Sequence, residues 1–299
     1  MAISWILIVI LAYFTWSATT LIDKVILVRH LKKPLSISII IGLNGLFAFL
    51  LMPFTGLSFL EPKYMALAIF SGITYVGFLI PLMTGLKEEE ATRTMVIAQL
   101  TPIFVLTFAF LTINERLSAS HLTGFALLLL AGLIVSMKDS KGFSLSRAFW
   151  LVLLANAITA MSLVSAKAVY QATKFTDGFI WIRLSAVSTA VLLLLLPQYR
   201  EDVVSSIRKM STRFKALVGA RLAADFAALL ALGYVLIKAP VSIVNAIGQP
   251  LFPIGVFLIS LLLLKIYPKA IFEEFNRKAI MVKGIALLLV LAGIALVSM

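Results

Sequence analysis

Asp225 stands at the middle of an apolar run, residues 214–237, and Arg221 precedes it by four positions. A charged side chain at the centre of a bilayer costs about 2.5–3.5 kcal/mol on insertion scales, so such groups are kept for a function or for a partner. Separation by four places the two on one helical face. Paired, Asp225 stays ionised and locks its helix. Unpaired, it is a candidate proton carrier. Arg183 and Lys167 are further cations inside apolar runs, toward the opposite membrane face from Arg221. Arg183 sits near Trp181, and its planar fork suits a carboxylate or a phosphate. Lys24 and Lys167 have the reach to snorkel toward the interface.

Uncharged polar residues recur at similar depth. Asn44, Gln99, Asn156 and Gln249 fall, with Asp225, near the middle of five different apolar runs. Together with Tyr75, Tyr234, Thr15, Trp16 and Ser17 they can line one amphipathic pocket. The competing reading of each Asn is an interhelical hydrogen bond, worth about 0.6 kcal/mol. The stretch ATRTMVIAQLTPIF, 91–104, adds Thr101 and Pro102 to Gln99, and Gly248, Pro250 and Pro253 surround Gln249. Proline removes a helix hydrogen bond and frees a carbonyl. Pro102, Gly248, Pro250 and Pro253 are therefore candidate hinges beside a watered cavity, with ordinary packing kinks as the alternative.

Catalysis finds little support. His30 and His121 lie far apart at the edges of apolar runs, and there is no HExxH, paired catalytic carboxylate or glycine-rich phosphate loop. Cysteine is absent, which excludes disulfides and thiolate metal sites. No cofactor, metal site or catalytic residue is assigned.

The elements that must position these residues follow from hydropathy. The 299 residues are 62% hydrophobic and 13% charged, with a mean hydropathy of +1.08. Soluble chains are about half apolar and about a quarter charged. Ten runs, roughly 3–28, 35–53, 64–86, 91–112, 120–137, 147–170, 178–197, 214–237, 240–264 and 279–299, approach the roughly 20 residues that cross a bilayer as a helix. The alternating ten-residue segments of a membrane barrel are missing. The first run starts at Ile3 with no basic residue before it and outlasts a signal core, so it is read as the first span.

The net charge of +13 suggests nucleic acid at first sight, but the basic residues cluster between spans, where lipid headgroups meet them. The segments joining spans 1–2, 3–4, 5–6, 7–8 and 9–10, with the span ends beside them, hold 19 of the 26 Lys and Arg, against four in the other loops: Lys63, Arg116, Lys174 and Lys238. By the positive-inside rule the basic loops are cytoplasmic, which puts both termini outside. In the basic loop 7–8, Val203, Val204, Ile207, Met210 and Phe214 recur at helical spacing, as in a short interfacial helix. The run KEEEATR, 87–93, reads as a solvated helix start rather than an acidic site.

The chain also repeats itself. A shift of 148 lays 91–104 on APVSIVNAIGQPLF, 239–252, with five identities in fourteen positions, Pro102 with Pro250 among them. A shift of 143 pairs Lys24 with Lys167, and GFALLLLAGLIVSM (124–137) resembles GIALLLVLAGIALVSM (284–299). Five spans followed by five similar ones must cross in opposite senses, because five is odd. The expected fold is all-α and integral to the membrane: ten transmembrane helices as two inverted five-helix repeats, 1–140 and 141–299. Such halves place a binding site near the midplane, at broken helices.

On Lys24, Pro34, EEATRTMVIAQLTPIFVLTFAFLTINERLS (89–118), HLTGFALLLLAGLIVSM (121–137) and their second-half echoes, the chain resembles the drug/metabolite transporter superfamily, specifically ten-span proteins built from two EamA-type repeats. The resemblance spans nearly the whole chain. It implies a secondary transporter exporting small metabolites such as amino acids by alternating access, with proton coupling through Arg221 and Asp225 as one form. A nucleotide-sugar or lipid-linked sugar carrier is the alternative within transport, and a membrane scaffold the alternative outside it. The expected partners are a small-molecule substrate and the lipid bilayer of the cytoplasmic membrane, without nucleic acid, and a monomer is the expected unit. Family members usually keep both termini in the cytoplasm, contrary to the charge count here. The second half lacks a clean copy of NERLS, with Glu274 nearest to Glu115 in place, so Glu115 is read as structural, at a helix end. In-span charge, Arg183, Arg221 and Lys167 against Asp225, favours an anionic substrate, and Arg183→Gln is then expected to raise apparent KM.

Overall fold

The computed structural model describes residues 2–29, 33–88, 97–136, 146–263 and 277–298. No strand occurs among them, and about 90% of the described residues are helical. This follows from solvent: in hydrocarbon only a helix satisfies its backbone hydrogen bonds within one segment. In chain order the helices are α1 (Ala2–Arg29), α2 (Pro34–Gly42), a 3-10 helix (Leu43–Leu50), α3 (Met52–Thr55), α4 (Pro62–Glu88), α5 (Thr101–Ile113) and α6 (Ala119–Ser136). The second half of the chain adds α7 (Arg147–Ala172), α8 (Phe175–Leu194), α9 (Pro197–Lys209), α10 (Thr212–Lys238), α11 (Val241–Leu263) and α12 (Arg277–Ser298).

Seven stretches of the described residues are long and apolar enough to cross a membrane: Ser4–Asp23, Leu35–Thr55, Pro62–Gly85, Arg147–Ala172, Phe175–Leu194, Thr212–Lys238 and Val241–Ile259. Three shorter apolar helices, Thr101–Ile113, Ala119–Ile134 and Gly284–Val297, stand where the fourth, fifth and tenth spans were expected. The outer surface is oily, with Leu11, Leu111, Leu192 and Leu288 among its exposed residues. Apolar helices with an apolar exterior make this a multi-pass membrane protein.

Packing sets up the centre. α1 rests on α10 and α11, while α7 rests on α4 and α5. α4 also packs on α8, and α6 lies along α12 and α11. The second span is not one α-helix: it tightens to a 3-10 helix at Leu43, where Gly45 brings its backbone against the Arg183 carbonyl of α8. Any side chain at 45 would collide with that carbonyl and with Val187. α9 is the short helix expected in loop 7–8, but its apolar residues divide. Val203 and Met210 are buried against Ile26, Ile37, Ile40 and Leu79, whereas Val204 and Ile207 face outward. Asp202 on α9 accepts from the Ser36 hydroxyl at 2.5 Å and the Lys33 amide at 3.2 Å, which fastens α9 to the start of α2.

Candidate binding cavity

A cavity of about 350 Å³ lies among α1, α4, α5, α7, α10 and α11. Its wall is mostly aromatic and aliphatic, with Tyr13, Trp16, Tyr75 and Phe252 prominent. One charged cluster breaks that wall. Arg221 Nε and Nη2 donate to Asp23 Oδ1 and Oδ2 at 2.7 and 2.8 Å, a bidentate pair, and Nη1 donates to Asp225 Oδ2 at 3.0 Å. Asp225 Oδ2 also accepts from Asn44 Nδ2 at 2.7 Å and lies 3.5 Å from the Tyr75 hydroxyl, and Oδ1 accepts from Trp16 Nε1 at 2.8 Å. Arg221 and Asp225 are 5% and 4% exposed. Removing such charges from water costs several kcal/mol each, and only near-complete hydrogen bonding of this kind offsets it.

Opposite this cluster the fourth span is interrupted. Ile97 and Ala98 are helical, Gln99 and Leu100 form a turn, and α5 restarts at Thr101 with Pro102 in its first turn. Pro102 has no N–H to give to the Ala98 carbonyl. The Thr101 hydroxyl donates there instead, at 2.6 Å. Asn156 Nδ2 donates to the Ile97 carbonyl at 2.7 Å, and Thr101 also donates to Asn156 Oδ1 at 3.0 Å. The break is thus held by two side chains whose types were singled out from sequence.

Gln99, Thr101, Asn156 and Gln249 all line the cavity, as do Tyr75, Arg221 and Asp225. The Gln99 side chain is buried with its Oε1 packed toward Gly132 and without a hydrogen-bond partner. Asn44 stands one layer back, reaching the site through Asp225. Of the 15–17 triplet, Trp16 lines the cavity, while Ser17 bridges α1 to α11 by donating to the Phe252 carbonyl at 2.9 Å. Thr15 donates to the Leu11 carbonyl within its own helix.

Several expectations change. Tyr234 points away: it is 44% exposed, edge-on to Phe175, with the Lys238 ammonium 4.4 Å above its ring. Arg183 backs the wall instead of lining it. Its guanidinium stacks 4.3 Å from the Tyr75 ring centroid, and its Nε and Nη1 have no hydrogen-bond partner. Pro250 and Pro253 lie inside a continuous α11, so the second half is not broken where the first is. A proline deletes one bond and bends a helix without necessarily ending it. Gly248 serves contact more than hinge, since the Tyr13 ring fills the space a side chain would take. Lys167 does not snorkel: it is buried, 3.1 Å from Glu115 Oε2, and donates to the Ala239 carbonyl at 2.7 Å. Side-chain positions of Lys24, and Glu274 altogether, lie outside the described residues.

One acid escaped the sequence reading. Asp23 sits at the end of an apolar run beside Lys24, which makes it look like part of a solvated edge. The signal was its face: Trp16, Thr19, Thr20 and Asp23 recur at helical spacing and all line the cavity. Glu115 is at a helix end, as expected, but it serves another helix. It accepts from the Val241 and Ser242 amides at 2.9 and 3.1 Å and from the Ser242 hydroxyl, capping α11.

The helices and the chamber among them define a multi-pass membrane protein with a small-molecule-sized cavity at its core. Residues 3–137 match the model of the EamA-like transporter family. The matched family is one of membrane transporters. Twenty-nine solved chains are similar in structure. One, a crystal structure whose description names no activity, has a TM-score of 0.69 at 16% identity, covering 99% of this chain and 98% of that one. At that identity the likeness shows the fold alone. No curated protein matches the sequence.

Proposed function

We propose that the protein is a secondary transporter that exports small organic metabolites, amino acids among them, across the cytoplasmic membrane by alternating access and in exchange for protons. The observation that carries this is one chamber walled by both halves of the chain, with Trp16, Tyr75 and Gln99 facing Asn156, Arg221 and Asn245. The reading takes ten spans as two inverted units, 1–140 and 141–299. In its support, α1 rests on α10 and α11 just as its counterpart five spans on, α7, rests on α4 and α5. A volume of about 350 Å³ is at the small end of the roughly 300–1,000 Å³ typical of ligand sites, which favours a metabolite over a nucleotide sugar.

The preference for an anionic substrate loses its footing. Asp23 joins Asp225 on Arg221 and Glu115 takes Lys167, so of the three in-span cations only Arg183 is left over, and it stands behind the cavity wall with Nε and Nη1 unpartnered. The test is counterflow in proteoliposomes. Preloaded unlabelled amino acids should accelerate entry of labelled ones, whereas a scaffold exchanges no label and a sugar carrier exchanges only nucleotide or lipid-linked sugars. Asp225 is paired with Arg221 in this structure, so on this reading it takes up a proton only where the cycle opens that pair, and Asp225→Asn should then abolish uptake driven by a pH gradient and spare counterflow. Persistence of the gradient-driven component would remove Asp225 as the proton carrier.

A further inference from the structure

Two of the ion pairs join the first half of the chain to the second, and they sit at the two ends of the cavity. Asp23 of α1 holds Arg221 of α10. Glu115, after α5, holds Lys167 of α7 and the first amides of α11. α10 itself measures their separation. Arg221 is 17 residues before Lys238, after which the chain turns directly into α11 at Val241, where Glu115 is bound. At 1.5 Å per residue that is about 25 Å, close to the thickness of the hydrocarbon core. The cavity reaches both ends, lined by Asp23 and Arg221 at one and by Leu236 and Val241 at the other.

We propose that these pairs are the two gates of the transport cycle: Asp23–Arg221 closes the cavity toward the face of the basic loops, and Glu115–Lys167 closes it toward the opposite face. The idea rests on the alternating-access reading and adds to it the residues that do the closing. Each pair ties one half to the other, so neither half can rock away at that end while its clasp is engaged. Both are engaged in this structure. The chemistry differs between the ends. The Arg221 fork grips Asp23 in two parallel bonds, a geometry that either holds or releases as a unit. Glu115 is gripped more diffusely, by an ammonium and by the helix start, where backbone N–H groups and the helix dipole favour a carboxylate. Removing Lys167 leaves Glu115 its amides, so that clasp can be loosened without uncapping α11.

The chain contains no cysteine, so a single reporter can be introduced. Thr159→Cys places a thiol on the cavity wall. An impermeant maleimide is applied to right-side-out and to inside-out vesicles. Adding Lys167→Met should speed labelling from the face opposite the basic loops by about tenfold or more, the shift that follows when a clasp contributing that factor to closure is lost. Adding Asp23→Asn should do so from the basic face only. Lys167→Arg, which keeps the charge, should return labelling to the parent rate and excludes simple misfolding. Equal labelling from both faces, or no change in either variant, overturns the gates. Labelling that shifts as described in a protein without counterflow would leave the gates standing and overturn the transport reading instead.

Discussion

At the residue scale, the central cluster is one cation shared by two carboxylates, and its stability depends on the fork of Arg221. Arg221→Met leaves Asp23 and Asp225 buried without a cation, a change expected to cost about 3–5 kcal/mol and to be read as a large fall in melting temperature in detergent. Arg221→Lys keeps the charge but presents a point donor in place of the fork, so an intermediate loss is expected. Equal melting of parent and both variants would mean the cluster contributes nothing to folding. Asp225 and Arg221 were legible because an acid and a base one turn apart in an apolar run are too costly to stand there without a partner or a task. Asp23 was not, since at a run's end a carboxylate can reach water, and only α10 standing opposite makes it a buried partner.

At the element scale, both halves carry a proline at matching positions, yet the fourth span is interrupted at Gln99–Leu100 and α11 is continuous. The difference lies in partners. Asn156 and Thr101 supply donors to the carbonyls of Ile97 and Ala98, while the start of α11 is fixed by Glu115. Pro102→Ala would restore an N–H for the Ala98 carbonyl and so favour helix through the turn. A gain of about 1 kcal/mol in stability is expected, the net worth of one such bond, together with slower counterflow as the joint stiffens. If melting temperature and exchange rate both match the parent, Pro102 is not a working joint. Sequence placed the break correctly in the first half because Pro, Thr and Gln coincide there. It overcalled the second half because proline spacing says nothing about which neighbours can take over a freed carbonyl.

For the whole molecule, loop charge predicts the orientation. With the basic loops inside, a cysteine at Ser58, in the loop after α3, should react with an impermeant thiol reagent on intact cells, and one at Ser205 on α9 should be protected. The reverse pattern would return the termini to the cytoplasm, where the resemblance to EamA-type proteins puts them. Both positions are exposed, so burial does not confound the result. α9 adds a feature that only packing reveals: fastened to α2 by Asp202, its inner face is part of the same apolar cluster as Tyr75 and Phe78 of the cavity wall.

By itself the sequence determined that this chain is a bundle of membrane helices. Run length and backbone satisfaction are local properties, and hydrocarbon leaves a long apolar segment no other way to bond its amides. It also marked the depth at which polar residues gather, because burial of a polar group is costly wherever it occurs. What only the tertiary structure decided is which of them meet. Arg221 finds Asp23 across 198 positions of sequence, Lys167 finds Glu115, and Tyr234 turns away from the chamber its neighbours enclose. Those choices belong to the contacts between helices, where the pairing of a buried charge is fixed by what stands opposite it and not by its own spacing along the chain.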